Sequence, residues 1–423
     1  MTVTETPRAQ SEPVDLPLRR NRRFQALWIG GAGAAMSVNM ALVAIPVLVL
    51  AVTRSAMVAG LYGLVTAAAA FAAGVPAGAI LDRYNRKTLL IVSELVRALA
   101  FGTLLLALTF DSLGIVHLLA VAAVTGATQP LSSGARVLAT RSVVPPAQLT
   151  SALTQEEVRS HSASIIGPAL GGMLYAGART LPIIGIAAGY LISALCAFAV
   201  PRDREASEAR RAQPSGGMLS GLAILLRSPV LRASIIALSV LNIGGSALDL
   251  LVVVLIRNGG GSEAEVGFAF TIVSVGGLAG AALVGLLHRH LRPGMLLIGL
   301  YVWAGALTAA LAVPLAVTLG FWWYGAVLAL AVLPLPAAMV LIDILIFRQV
   351  DDALRGRTIT ATITMLTVGA AFGPFVAGLL LEYAGPVPAV LAVSGIFLTA
   401  GVYALSKRVI RTAQWPQPQN AEA

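Results

Sequence analysis

GAILDRYNRK, Gly78 to Lys87, is the stretch that decides how this chain reads. It closes a long run of Ala, Gly, Val and Leu without a charge, and five of its last six residues, Asp82, Arg83, Asn85, Arg86 and Lys87, are charged or amide. So abrupt a change marks an apolar helix leaving lipid and turning round at a charged membrane surface. Asn85 stands in the turn, where it tolerates the left-handed backbone that a tight reversal requires.

The rest of the chain agrees with that reading. Of its 423 residues 57% are hydrophobic and 11% are charged, far from the averages of soluble globular proteins. A net charge of +10 with 29 Lys and Arg would suit a nucleic-acid partner, but these residues cluster between apolar segments with hardly any aromatic interleaving. They read instead as a membrane orientation signal, and no nucleic-acid partner is expected. The single cysteine, Cys196, excludes a disulfide framework or a cysteine metal site. Residues 1–23 are polar and basic with no apolar core, so no cleavable signal peptide is expected.

Twelve apolar runs are long enough to span a hydrocarbon core: 24–52, 57–81, 88–110, 113–138, 154–177, 180–200, 230–256, 264–287, 294–317, 320–346, 358–383 and 386–406. In lipid each must satisfy its own backbone, so the expected class is an all-α membrane protein, since a barrel would need shorter alternating segments. An even number of spans puts both termini on one side. Arg8, Arg19, Arg20, Arg22, Arg23, Arg83, Arg86, Lys87, Arg202, Arg204, Arg210, Arg211, Arg227, Lys407, Arg408 and Arg411 share that side, against Arg54, Arg179 and Arg257 opposite. The positive-inside rule then makes both termini cytoplasmic in a multi-pass plasma-membrane protein. The expected organisation is a tail at 1–23, a six-helix bundle at 24–200, a linker at 201–228, a second bundle at 229–406 and a tail at 407–423. In the linker, PRDREASEARRAQPSGG is flexible in character, and MLSGLAILLRS is an amphipathic stretch suited either to the interface or to a solvated surface helix.

The two halves repeat one another. Adding 206 carries Gly74 to Gly280, Arg83 to Arg289, Arg86 to Arg292, Pro130 to Pro336, Gly167 and Pro168 to Gly373 and Pro374, and Gly172 to Gly378, without gaps. Parallel repeats about an axis along the membrane normal are a transporter architecture, with the substrate site between the halves.

With those residues in view, the pattern Gly, three residues, Asp-Arg, one residue, a small residue, Arg-Lys resembles the loop between helices two and three of the major facilitator superfamily, with Asn85 in place of the usual second Gly. GPALGG, Gly167 to Gly172 with Pro168 and Gly171 inside it, resembles the helix-five signature of the family's exporters, whose upstream glycine would fall at Ala163. Together with the basic start NRRFQALW, these motifs are most similar to the branch of drug and siderophore exporters that work as proton antiporters. The resemblance implies twelve helices in two pseudo-symmetric bundles, and a latch in which Asp82 meets a helix N-terminus of the other half. A simple topology anchor is the plainer reading of Asp82. The spacing of Gly74 and Gly78 lets another backbone approach closely.

Intramembrane polar residues usually serve a purpose because burying them is expensive. Asn39, Gln129, Asn242 and Asp249 fall on spans one, four and seven. The resemblance makes spans one, four, seven and ten the cavity lining, so these four are substrate candidates; interhelical hydrogen bonding accounts for the amides equally well, and Asp249 lies far enough out to reach the interface. Glu94 and Arg97, three apart, are spaced to pair. Arg136 and Asp343 sit at equivalent depths and are candidates for a pair across the cytoplasmic mouth, or each snorkels there alone. Glu156 and Glu157 are placed in the first turn of span five, where the helix dipole favours acids.

No P-loop sequence is present, and with only Lys87 and Lys407 none can be hidden, so transport is expected to draw on a proton or substrate gradient. His117, His161, His288 and His290 form no catalytic or metal-ligating group, so neither an enzyme, a cofactor nor a metal is expected. The expectation is a monomeric exporter in the lipid bilayer, moving a small amphipathic or drug-like molecule and, by resemblance, protons. The alternatives are a nutrient importer on the same fold and a non-transporting receptor or membrane enzyme.

Overall fold

The computed structural model describes residues 17–200, 227, 229–313, 319–340 and 352–411. The first sixteen residues, the linker apart from Arg227, Asp343 and the end of the second tail lie outside these described residues, as does the side chain of Asp82.

All described regular structure is helical: α1 (Arg22–Thr53), α2 (Ala56–Arg83), α3 (Arg86–Thr109), α4 (Ile115–Val143), α5 (Leu149–Gly177), α6 (Leu181–Ala197), α7 (Pro229–Asn258), α8 (Glu263–His290), α9 (Pro293–Ala310), α10 (Phe321–Val332), α11 (Asp352–Tyr383), α12 (Pro386–Ser406) and a terminal turn, α13 (Arg408–Arg411), with one short 3-10 turn before α5. Nine described helices are long and apolar enough to cross a membrane; α6 and the apolar part of α9 are shorter, and α5 carries a polar stretch around Glu156. One helix thus stands at each of the twelve expected spans.

Local chemistry sets the boundaries. Asn85 does not take the left-handed conformation: its backbone is extended (φ −65°, ψ 124°) and its side-chain oxygen accepts from the N–H groups of Lys87 and Thr88, making it the N-cap of α3. An amide that satisfies two orphan donors of the next helix has no need of positive φ. The left-handed non-glycine residues lie elsewhere, at Arg54 (φ 54°), where α1 ends, and at Asp111 (φ 49°), after α3. Ser55 caps α2, and Ser262 with Glu265 forms a capping box on α8. α5 begins at Leu149 rather than at 154, so Glu156 and Glu157 lie two turns inside it and not in its first turn. α10 breaks at Leu333 and Pro334 and resumes over 335–340, because a proline nitrogen cannot continue the hydrogen-bond ladder.

The termini of the helical body and the turns after α2 and α8 lie at one face, the basic face; the ends of α1, α5, α7 and α11 lie at the opposite, distal face. Helix pairing is duplicated. α1 packs on α5 and α6, α2 on α4, and α3 on α4 and α6; with every label raised by six, α7 packs on α11 and α12, α8 on α10, and α9 on α10 and α12. The two sets of six meet through α2 against α11 and through α5 against α8, a pair of contacts related by the same shift.

That seam is built from backbone. A Cβ on Gly60 would lie 2.3 Å from the carbonyl oxygen of Pro374, and one on Gly267 2.5 Å from that of Pro168. One on Gly172 would lie 2.3 Å from the carbonyl oxygen of Glu263, and one on Gly378 2.4 Å from that of Ala56. Thr271 and Ser274 donate to the carbonyls of Ile165 and Ser164, each at 2.8 Å. Such interhelical bonds average only about 0.6 kcal/mol in membranes, so close packing of small residues carries the contact.

All these contacts sit on the distal side of Ser164 and Ser274. Toward the basic face, a Cβ on Gly74, Gly78, Gly277 or Gly285 would meet no atom within 4 Å. Glu157 and His161 of α5 have side chains 76% and 64% exposed there. Polar groups at that depth face water and not lipid, so the halves part and admit solvent from the basic face.

Candidate functional site

α3 and α4 pack along their length and bring their polar residues together inside the first half. Arg136 donates to the Glu94 carboxylate at 2.7 Å and to Ser193 Oγ of α6 at 2.8 Å, and Ser132 Oγ donates to the same carboxylate oxygen at 2.6 Å. Arg97 donates to Thr128 Oγ1 and Gln129 Oε1, both at 2.9 Å, with its guanidinium 5.4 Å from the centre of the Tyr190 ring. Glu94, Arg97 and Arg136 are all buried. Two guanidinium groups share one carboxylate, leaving one positive charge in excess.

The expected pairing of Glu94 with Arg97 is present but is the looser of two. Glu94 approaches Arg97 only to 4.0 Å, and its tight partner is Arg136, because the facing helix offers a shorter path than the next turn of its own. Arg136 therefore does not snorkel to the surface, nor is its charge free for Asp343, which lies outside the described residues; a partner within the bundle already satisfies it.

The four substrate candidates separate. Asn39 donates to the carbonyl of Ala35 on its own helix at 2.9 Å, and its Cβ fills the space over Gly167 of α5. Gln129 is exposed and accepts from Arg97. Asn242, which donates to the Leu238 carbonyl at 3.0 Å, and Asp249 line one cavity of about 390 Å³. That cavity lies within the second half, among α7, α9, α10, α11 and α12. The break in α10 opens this space, since Leu335 lies just beyond it. Asp249 lies nine residues, about 13 Å of helix, before the end of α7.

In the stretch Gly78 to Lys87 the basic residues tie the start of α3 to its own half. Arg86 is buried and donates to the Leu138 carbonyl at 3.4 Å, Lys87 donates to the Phe198 carbonyl, and Arg83 lies over Tyr84. Gly74 and Gly78 approach no backbone in this open state. GPALGG is a three-helix junction: Gly167 and Gly171 seat on Asn39 and Met40 of α1, while Pro168 and Gly172 seat on α8. Its repeat does the same on α7, through Gly373, and on α2, through Pro374 and Gly378.

Two further charged side chains that join helices were not singled out from the sequence. Arg159 pairs with Glu156 at 2.8 Å and lies against Gly31 of α1. Glu382, in the last turn of α11, accepts from Ser55 Oγ at 3.1 Å and from the N–H of Ala56 at 2.9 Å, so it caps α2 across the distal seam. An acid at a helix C-terminus is electrostatically misplaced unless it faces another helix's N-terminus, and that was the available signal.

The sequence model of the Major Facilitator Superfamily matches residues 27–259. The enterobactin exporter EntS of Shigella boydii serotype 4 (strain Sb227) is 27% identical over 282 residues, 66% of this chain and 67% of that protein. EntS of Escherichia coli O1:K1 / APEC is 27% identical over 311 residues, 73% of each. Among solved structures, the nucleoside transporter NupG superposes with a TM-score of 0.75 at 12% identity over 93% of this chain and 100% of that one. A bacterial homologue of the iron transporter ferroportin in its inward-facing state gives 0.68 at 18% identity over 91% and 100%. With duplicated six-helix halves, a seam of α2 on α11 and α5 on α8, and a matching family model over more than half its length, the chain belongs to the major facilitator superfamily.

Proposed function

We propose that this protein is a secondary active exporter that moves a small amphipathic molecule out of the cell in exchange for protons, acting as a monomer and without enzymatic activity. The observation that carries the reading is the lopsided seam: sealed by backbone contact at the distal face and parted at the basic face. A pair of rigid halves with two such seams can rock between faces, and the named exporters at 27% identity support the outward direction. The excess of Arg and Lys supports a cytoplasmic basic face, and in this reading the parted seam is an inward-open state that loads substrate from the cytoplasm.

In this reading Asn242 and Asp249 contact substrate, and Glu94 is the coupling acid. Protonating Glu94 breaks its bridge to Arg136 and leaves two buried guanidinium groups without a counter-charge, a state the bundle escapes by rearranging. Gly78 to Lys87 forms the cytoplasmic latch. The antiparallel register that sets Gly60 on Pro374 brings Asp82 to the start of α11 when the inner seam closes, where a helix N-terminus attracts a carboxylate.

The test is uptake of fluorescent dyes and a catechol siderophore into inverted membrane vesicles with and without an imposed pH gradient. Accumulation that follows the gradient is expected; accumulation indifferent to it removes proton antiport, and none at all removes export.

A further inference from the structure

We infer that the cavity within the second half is the binding site for a small organic monocation, an apolar body bearing one ammonium, guanidinium or phosphonium group, held by Asp249. The inference deepens the export reading and takes it as its frame.

The two halves treat one space in opposite ways. Leu300 and Leu335, which line the cavity, are the repeat counterparts of Glu94 and Gln129 at an offset of 206. Trp303 is the counterpart of Arg97, and its indole N–H is spent on the Leu330 carbonyl at 2.7 Å. In the first half this region is filled by guanidinium groups lying on the Glu94 carboxylate. In the second half Trp303 and Ile342 stand at the positions that repeat Arg97 and Arg136, and among the described residues no guanidinium lines the volume, which is open. A carboxylate has instead been added from another wall: Asp249 replaces the counterpart Val43, and Asn242 replaces Met36. The first half thus contains both the cation and the anion of its buried pair. The second contains the anion and the room.

The chemistry of the occupant follows. An ionised carboxylate removed from water is strongly unfavourable unless a counter-charge meets it. Among the described residues no hydrogen bond or ion pair is made to Asp249. One carboxylate matches one positive charge, which disfavours anions and polycations. The remaining wall is largely apolar, with the Phe397 ring beside Leu300 and Leu335 and only Asn242 and Ser246 as further polar groups, so the body of the guest is apolar. About 390 Å³ lies within the usual range for small-molecule sites, roughly 300–1,000 Å³, at its smaller end.

Binding of tritiated tetraphenylphosphonium to the purified full chain in detergent tests this, with neutral triphenylphosphine oxide as its uncharged analogue. Saturable binding of the cation is expected, weakened at least about tenfold by Asp249→Asn and largely kept by Asp249→Glu, while the oxide does not distinguish Asp249→Asn from the wild type. Absence of saturable cation binding in the wild type, or equal affinity in Asp249→Asn, overturns the site. Should Asp249→Asn fail to fold, labelling of wild-type Asp249 by dicyclohexylcarbodiimide, read by mass spectrometry, decides: the cation is expected to protect it, and unprotected labelling overturns the site. Asp249-dependent binding without vesicle transport would remove export and leave the site. Dye transport without such binding would do the reverse.

Discussion

Glu94 is the residue on which the first half turns electrostatically. Among the described residues it is the only carboxylate bonded to Arg136, with Arg97 at 4.0 Å on its other side. Glu94→Gln leaves both cations buried without a counter-charge and is expected to destabilise the protein by about 3–5 kcal/mol, seen as a lowered midpoint in thermal unfolding in detergent. Arg136→Met removes the other side of the pair. If the bridge is the operative contact, Glu94→Gln with Arg136→Met is less damaging than the sum of the single changes, with a coupling of about 1–3 kcal/mol; simple additivity would assign Glu94 to Arg97 after all. The charges themselves were legible in the sequence, since intramembrane ionisable residues are rare. Their partners were not: spacing within α3 suggested Arg97, while the choice of Arg136 depends on which face of α4 turns toward α3, and no local pattern encodes that. The left-handed role expected of Asn85 failed for a related reason, because a side chain able to adopt positive φ is also able to cap, and the following helix decided between the two.

At the scale of helices, caps and glycines set where the seam closes. Glu382 caps α2 from across the seam, so its charge acts only while the distal side is shut. Glu382→Gln is expected to weaken that closure by about 1–2 kcal/mol, raising the accessibility of a cysteine placed at Met57 to a membrane-impermeant maleimide added from the distal face; unchanged accessibility would reduce the contact to an incidental one. Gly267→Leu drives a side chain into the Pro168 carbonyl and is expected to shift the protein further from the sealed distal state than Gly277→Leu, whose site is open in this conformation. A helix at each of the twelve spans was legible from hydropathy, because a lipid-facing helix has to announce itself by composition, but the ends of α4, α5, α9 and α11 fall five to seven residues from the expected ones. The break in α10 was not, although Pro334 and Pro336 were in plain sight, since prolines are tolerated in membrane helices and Pro46, Pro130, Pro168 and Pro374 all lie inside continuous ones.

For the whole molecule, the repeat at an offset of 206 foretold the duplicated pairing of helices, the paired GP junctions and a seam between like elements. It did not foretell where the open cavity would lie. Repeats share a fold but not their contents: the first half fills its interior with Glu94, Arg97 and Arg136, while the second leaves space beside Asp249. The central claim is that the two faces open in alternation. Pulsed electron paramagnetic resonance on two spin-label pairs in lipid nanodiscs tests it across a pH series, one pair at Arg54 and Tyr383 on the distal face and the other at Leu153 and Leu286 on the basic face. The distal distance is expected to lengthen as the basic distance shortens, in the same fraction of molecules; distances that move together, or that stay fixed at every pH, would rule alternation out.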